Sequence, residues 1–430
     1  MNTAAANITR IDRRRLLAAA GASVGAIALA PPGAMWAAES DGIDLRPLTE
    51  SVVPIDMTER EARLDRARAL MAQNDIDAIV IEPGSSLDYF TGVQWRRSER
   101  LTAALIPVEG TPVIVTPFFE RPSVAESLGI EAEIQVWQED ESPIALIARQ
   151  LRSWKHDPAR IGIEETVRFF AADGLAAALP GARLVSADPV VRACRMRKTA
   201  AEIALMQMAS NVTMAAYAWT VPQIRTGMTN LEISHLMSSA TTALGGKPEF
   251  SMVLIDEAAA YPHGTGKPQV VRENSTVLFD CGCTVAGYQS DISRTVFHGK
   301  PDPDALATWH LVRQGQDTAF AAAGLGVPAG TVDDAVRALY EAKGLGPGYR
   351  LPGLSHRTGH GIGMDGHEPV NLVHGEPTLL APGMCFSNEP GIYKPGRFGV
   401  RQEDCFHMTE TGPKWFTIPP DEPGALIGTA

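Results

Sequence analysis

Val277-Leu278-Phe279-Asp280-Cys281-Gly282-Cys283 opens the stretch that decides how this chain is read, and Gln289-Ser290-Asp291-Ile292-Ser293-Arg294-Thr295 closes it. An apolar, strand-like run, Thr276–Phe279, leads to one aspartate, and a second follows eleven positions later. Three more polar residues stand in comparable settings downstream. His360 lies in Gly359-His360-Gly361-Ile362-Gly363, Glu389 in Asn388-Glu389-Pro390-Gly391, and Glu403 in Val400-Arg401-Gln402-Glu403-Asp404. Each context reads as an end or edge of structure. Taken singly, each has an ordinary explanation, because exposed charge is the default for Asp and Glu.

The surrounding chain is that of a globular protein. Of 430 residues, 45% are hydrophobic and 20% charged, which excludes collagen-like and disordered classes. The length predicts two or three domains with enough core to fold without disulfide staples. The net charge is −12, and the first 38 residues hold four Arg and one Asp, so the remainder is more acidic still. Such a body argues against nucleic acid or an anionic membrane as the main partner. Five Cys is an odd number, so at least one stays unpaired within the chain. Cys281 and Cys283 read as buried small apolar residues beside a site rather than as a metal clip.

The first forty residues read as an address. Arg13-Arg14-Arg15-Leu16-Leu17 precedes an apolar run to Ala30, and small residues follow near Ala34–Ala38. A positive region, a short apolar region and small residues are the parts of a secretory signal. The consecutive Arg residues resemble a twin-arginine signal, so residues 1–38 are expected to direct export to the periplasm. The apolar run is shorter than the ~20 residues of a bilayer-spanning helix, so no stable membrane anchor is expected.

Beyond it the organisation is α/β. Thr58 with Glu61 reads as a capping box, and Leu64, Ala67, Leu70 and Met71 recur at helical spacing behind it. Short apolar runs at Ile76–Ile81, Leu101–Ile106, Pro112–Thr116 and Ile161–Ile163 then alternate with helical segments. A first domain is expected over 55–190. Near Arg192–Lys198 the character changes, and a second domain is expected over 195–420. Thr199/Glu202 and Thr229/Glu232 cap two of its helices, Thr331/Asp334 reads as a further cap, and Met384–Ser387 and Gly399–Glu403 read as strands.

Asp280, Asp291, His360, Glu389 and Glu403 occur in the order and contexts of a known ligand set. The stretch from about 195 to 415 resembles Xaa-Pro aminopeptidases and prolidases, of the pita-bread metallopeptidase family M24 and the creatinase superfamily. The preceding domain resembles their smaller creatinase-like domain, for instance at Leu87-Asp88-Tyr89-Phe90-Thr91-Gly92. The resemblance implies an α/β N-terminal domain followed by an α+β pita-bread domain. It implies two divalent metal ions, with Asp280 on one, His360 and Glu389 on the other, and Asp291 and Glu403 bridging. The implied reaction is hydrolysis of an Xaa-Pro bond by a metal-bridging hydroxide, in dipeptides or at the N-terminus of peptides. It further implies a homo-oligomer.

Elementary chemistry agrees with a metal pair. Four carboxylates forced together without cations would raise one another's pKa values, and two divalent ions neutralise them. Oxygen ligands with one imidazole favour manganese, and allow cobalt, zinc or iron, over a thiolate-bound ion. Such a pair acidifies a bridging water and polarises a carbonyl.

Further positions follow from the same resemblance. His263, in Tyr261-Pro262-His263-Gly264, and His367, in Gly366-His367-Glu368-Pro369, match histidines that hydrogen-bond substrate and tetrahedral intermediate. The glycines between His360 and His367 argue for a loop there. His356 is an outer candidate. Arg401, two before Glu403 on the same strand face, fixes a carboxylate ligand or holds a substrate carboxylate. Glu389 is also expected to shuttle a proton from the attacking water to the leaving nitrogen.

Two other readings compete. One is a same-fold hydrolase or lyase acting on a small zwitterion, as in creatinase relatives. Its lyase members carry another Asp two after the first, where this chain has Gly282. The other is a non-catalytic peptide-binding relative, against which the intact five-residue set argues. Gly366 is an oddity, since similar proteins more often have a β-branched residue before that histidine.

Overall fold

The apolar runs of the first unit become a twisted sheet in the computed structural model, which describes residues 45–155 and 158–428. The expected export signal, 1–38, lies outside the described residues. Six strands, β1 (Ala78–Ile81), β2 (Ala103–Pro107), β3 (Val113–Pro117), β4 (Glu133–Trp137), β5 (Arg160–Ile163) and β6 (Arg183–Ser186), lie in the order β4-β3-β2-β1-β5-β6. The three central strands β1, β2 and β3 are buried along their whole length, which is why they read as continuous apolar runs. The edge strands β4 and β6 are partly exposed and mixed in composition, so no apolar run announced them.

Helix Met57–Gln73 buries Leu64, Ala67 and Met71 against this sheet's core. Its cap is Asp56, whose side chain accepts from the Glu59 amide, and not Thr58 as the sequence pattern predicted. The helix starts two residues earlier than the Thr58/Glu61 box requires, and aspartate is as good a cap as threonine.

The second unit has two sheets backed by helix pairs. One sheet, in the order β10-β8-β7, contains β7 (Lys247–Ile255), β8 (Ser275–Val285) and β10 (Ile292–His298), and the short β9 (Tyr288–Gln289) pairs with β8. Helices Ala200–Thr220 and Asn230–Ala243 pack on it through Ala209, Val212 and Met237 against Val277, Phe279, Cys281 and Cys283. Both helices begin with the predicted capping boxes, Thr199/Glu202 and Thr229/Glu232. Cys281 and Cys283 are core residues on the far face of β8, and the described cysteines Cys194, Cys281, Cys283, Cys385 and Cys405 are all free and buried.

The other sheet, in the order β12-β11-β13-β16-β17, contains β11 (Gly359–Gly361), β12 (Glu368–Leu372), β13 (Cys385–Asn388), β16 (Asp404–Thr409) and β17 (Gly412–Trp415). A hairpin of β14 (Gly391–Lys394) and β15 (Phe398–Arg401) stands beside it. Helices Pro303–Ala322 and Gly330–Ala342 cover it through Trp309, Val312 and Val336 against Phe386, Val400 and Phe406. The helix at Gly330 has no side-chain cap, so the expected Thr331/Asp334 box is not formed. Asp333 is instead fully buried and bonded elsewhere.

The two sheets meet along β10. The Glu403 amide donates to Ser293 O at 3.0 Å, and Thr295 Oγ1 both donates to Arg401 O and accepts from the Arg401 amide. The candidate site lies on this seam. No helix among the described residues is long and apolar enough to cross a membrane.

Candidate metal centre

Strand register builds the site. In the β7–β8–β10 ladder Met252, Asp280 and Ser293 lie directly opposite one another, so their side chains share one face. Asp280 therefore sits in the middle of an eleven-residue central strand, and not at the end of a strand as its context suggested. The alternation that sends Cys281 and Cys283 into the core sends Asp280 out of it. Asp291 stands at the junction of β9 and β10, His360 on β11, Glu389 between β13 and β14, and Glu403 between β15 and β16. The predicted strand Gly399–Glu403 ends at Arg401, because Gln402-Glu403 turn the chain from hairpin to sheet.

One cavity of about 470 Å³ gathers what the sequence singled out. Its walls include Asp280, Asp291, His360, Glu389 and Glu403, with His263, His356, His367 and Arg401. Ligand atoms of Asp291, His360 and Glu403 lie within 4.8 Å of one another. His360 Nε2 is 3.3 Å from Glu389 Oε1 and 3.7 Å from Asp291 Oδ2. Ser293 Oγ donates to Glu403 Oε2 at 2.6 Å and accepts from Arg401 Nε at 2.9 Å. Arg401 pairs with Asp280 Oδ2 and donates to Tyr393 Oη, which in turn meets His356 Nε2 at 2.7 Å. Arg401 thus fixes a carboxylate of the cluster, one of its two expected roles.

A direct test of the donor set for cations lies in what remains unbonded. Asp280 Oδ1, Asp291 Oδ1 and Glu403 Oε1 are buried and have no hydrogen-bond partner. An unsatisfied buried carboxylate oxygen is costly, and three around one cavity call for a positive group between them. Burial first, and then neighbouring carboxylates, push the pKa values of Asp291 and Glu403 far above the usual carboxylate range. Burial also opposes ionisation of Glu389, but its hydrogen bond to His360 and nearby positive charge bring it down to about 2. These oxygens and one imidazole nitrogen fit divalent transition ions.

His367 occupies the loop between β11 and β12, as the glycines predicted, with its ring centroid 4.0 Å from that of His360. Desolvation, reinforced by His360, pushes its pKa down to about 4, so the ring is neutral at ordinary pH. His263 also lines the cavity, next to Pro262, whose carbonyl accepts from Arg401. The cavity also contains residues that sequence reasoning missed. Arg357, Gln289, Phe250 and Met252 line it, and Ser293 stands behind Glu403. Ser293 was findable, since it lies two positions after Asp291 and strand alternation puts both on one side. Gly366 leaves bare backbone in the wall, with Gln289 Oε1 at 3.1 Å from where a Cβ would lie.

An α/β unit preceding a two-sheet unit with a buried acid and imidazole cluster at the seam defines a two-domain metallopeptidase. The chain belongs to metallopeptidase family M24, whose model matches residues 204–410, and the model of the creatinase/prolidase N-terminal domain matches 63–197. A probable dipeptidase PepE of Mycobacterium tuberculosis is 34% identical over 355 residues, spanning 81% of this chain and 92% of that protein. A Xaa-Pro dipeptidase of Lactobacillus helveticus is 32% identical over 361 residues, spanning 82% and 96%. The crystal structure of dipeptidase PepE from Mycobacterium ulcerans superposes with a TM-score of 0.79 at 33% identity, covering 86% of this chain and 98% of that one.

Proposed function

We propose that the protein hydrolyses the bond between a first residue and proline, in dipeptides or at the N-terminus of peptides, with two divalent ions. The observation that carries this reading is the convergence of five ligand-type residues, three of them with orphaned buried oxygens, in one cavity. Asp280 would hold one ion, His360 and Glu389 the other, and Asp291 and Glu403 would bridge. Manganese fits the donors best, with cobalt, zinc or iron as substitutes. When bound, the ions would acidify a water and polarise the scissile carbonyl.

The chain's own groups do the rest. Glu389 takes a proton from the attacking water and delivers it to the prolyl nitrogen as the C–N bond breaks. His367 and His263 donate to substrate and to the oxyanion that develops on the former carbonyl. Arg401 and Ser293 hold Asp280 and Glu403 in place. Phe250 and Met252 offer an apolar wall. A prolyl nitrogen has no N–H and fixes its backbone torsion, so shape selects it.

The lyase alternative meets an obstacle at Gly282, where a Cβ would lie 2.2 Å from Ser290 O and 2.6 Å from the Phe250 ring. No aspartate fits two residues after Asp280. The test is release of free proline from Xaa-Pro dipeptides and from a longer Xaa-Pro peptide, with manganese and with EDTA. Chelator-sensitive proline release is expected. Metal-dependent turnover confined to creatine-like compounds would transfer the case to the zwitterion reading, and binding without turnover to the non-catalytic one.

Export to the periplasm and assembly into a homo-oligomer belong to the same proposal. Arg14→Lys with Arg15→Lys should retain the protein in the cytoplasm on cell fractionation. Sedimentation of the mature protein should give a mass above that of one chain.

A further inference from the structure

Among the described residues no hydrogen bond reaches the His367 ring, whose neighbour is the His360 ring. The place of the imidazole is therefore set by the backbone that carries it. That backbone is held through the adjacent residue. Glu368 is 5% exposed, and its Oε1 accepts from the amides of Met364 at 2.9 Å and Asp365 at 3.2 Å. The same oxygen accepts from Arg195 Nη2 at 2.5 Å, and Oε2 accepts from Lys198 Nζ at 2.9 Å. Gln289 closes the loop from the cavity side, with its amide on Gly363 O and its side chain on Met364 O.

Arg195 is the last residue of helix Asp188–Arg195, and Lys198 directly precedes Thr199, the cap of helix Ala200–Thr220. The two cations thus sit in the short connection between the α/β unit and the two-sheet unit. Arg195 also donates to Asp365 Oδ2 at 2.7 Å and to Ser86 Oγ at 3.0 Å, while Ser85 Oγ donates to Asp365 Oδ1 at 2.5 Å. There is no slack, since a Cβ at Gly363 would lie 2.7 Å from Lys198 Cε and 2.9 Å from Glu368 Oε1. Burial works against the Glu368 carboxylate, yet Arg195 and Lys198 bring its pKa down to about 2. A buried ionic cluster is a weak way to glue two units, because apolar side chains of similar volume do that as well or better. It is a good way to fix geometry, since each bond is directional.

We propose that Arg195 and Lys198 act through Glu368 as positioning residues for His367, so that the connection between the two units sets that imidazole in the cavity. This rests on the reading of His367 as a group that touches substrate.

The test uses the full-length, metal-loaded enzyme and Glu368→Gln, alone and combined with His367→Ala. Three quantities are read: kcat/KM for proline release, bound metal per chain, and hydrogen exchange of the backbone over residues 361–369. Glu368→Gln is expected to lose about 10- to 100-fold in kcat/KM, as for a catalytic group displaced by around an ångström. Metal content should hold and exchange in the loop should quicken. In the His367→Ala background the same substitution should change kcat/KM by less than about threefold, the signature of two residues acting as one. Equal losses in both backgrounds, or a loss that follows metal content, would overturn the proposal. If Glu368→Gln does not fold, Arg195→Met leaves the Lys198–Glu368 pair intact and gives the same comparison. A neutral His367→Ala would overturn the proposal at its premise, and quickened exchange in Glu368→Gln would distinguish that from a clamp that holds nothing.

Discussion

Asp280 gives one carboxylate oxygen to the Arg401 guanidinium and keeps the other buried and unpartnered. The two residues are 121 positions apart, and the contact ties the middle of β8 to the end of β15 across the seam between the sheets. One half of Asp280 is thus satisfied by protein, and the other half is left without a partner in the wall of the cavity that Asp291, Glu389 and Glu403 also line.

Loss of that guanidinium should be felt most when the cavity holds no cations. Arg401 is 2% exposed, and the Asp280 side chain, 17% exposed, would lose its charge partner while its Oδ1 stays buried and unbonded. Arg401→Met should therefore destabilise the chelated protein by about 3–5 kcal/mol. Saturating manganese should recover part of this. Urea denaturation with EDTA and with manganese measures both, and an equal cost in the two conditions would contradict the coupling.

Chelated protein should also lose stability as the medium becomes more alkaline. Asp291 and Glu403 have folded pKa values raised well above 3.8 and 4.5, by burial and then by neighbouring carboxylates. A raised folded pKa gives stability that is present below the unfolded value and lost as pH rises through the folded value. Histidines His356 and His367, lowered from 6.5, act in the opposite sense only below that pH. Above pH 6.5 the unfolding free energy with EDTA should therefore fall as pH rises, by up to about 1.4 kcal/mol per pH unit for each proton that the folded state alone retains, and the melting temperature should fall with it. Saturating cation should flatten the slope. A melting temperature that rises with pH in EDTA would refute the account.

Glu389→Gln removes a proton carrier while keeping a neutral oxygen at nearly the same place. The expected loss in kcat is about 10²–10⁴-fold, the usual contribution of general acid–base help. Metal analysis must accompany the kinetics, because Glu389 is also a proposed ligand. A variant with full metal content and undiminished turnover would remove Glu389 from the proton path.

Much of this was legible in the sequence because ligand chemistry is local. Asp280, Asp291, His360, Glu389 and Glu403 are polar residues set among glycines, prolines and strands, and all five meet in the cavity. The central strands of the first sheet were legible for a related reason, as burial on both faces leaves an unbroken apolar run. What escaped depends on partners distant in sequence. The edge strand β6 needs β5 to become a strand at all, and nothing in Arg183–Ser186 is periodic. Arg195, Lys198 and Glu368 look like ordinary surface charges until the fold buries them together. The pattern Thr331/Asp334 reads as a helix cap that the fold does not form, while its neighbour Asp333 gives no sign of its buried role, because capping and core positions use the same side chains and only the surroundings differ.

The buried role of Asp333 and the missing cap at Thr331 can both be tested by experiment. The Asp333 carboxylate is fully buried and accepts from Arg337 Nε at 2.7 Å, Thr358 Oγ1 at 2.7 Å, the Thr358 amide at 3.0 Å and the His374 amide at 2.9 Å. Thr358 O in turn accepts from the Glu389 amide at 2.8 Å, and Thr358 leads directly into β11 and His360. Asp333 therefore braces two proposed ligands from behind the cavity. Asp333→Ala should cost about 3–5 kcal/mol, because Arg337 would remain as a buried unpaired charge, and should weaken metal retention as well. Thr331 is exposed and caps nothing, so Thr331→Ala should change stability by no more than about 0.5 kcal/mol. Thermal or urea unfolding of the two variants orders them. A Thr331→Ala cost of about 1 kcal/mol would restore the capping role that the sequence pattern suggested, and an unaffected Asp333→Ala would separate this carboxylate from the site it is placed behind.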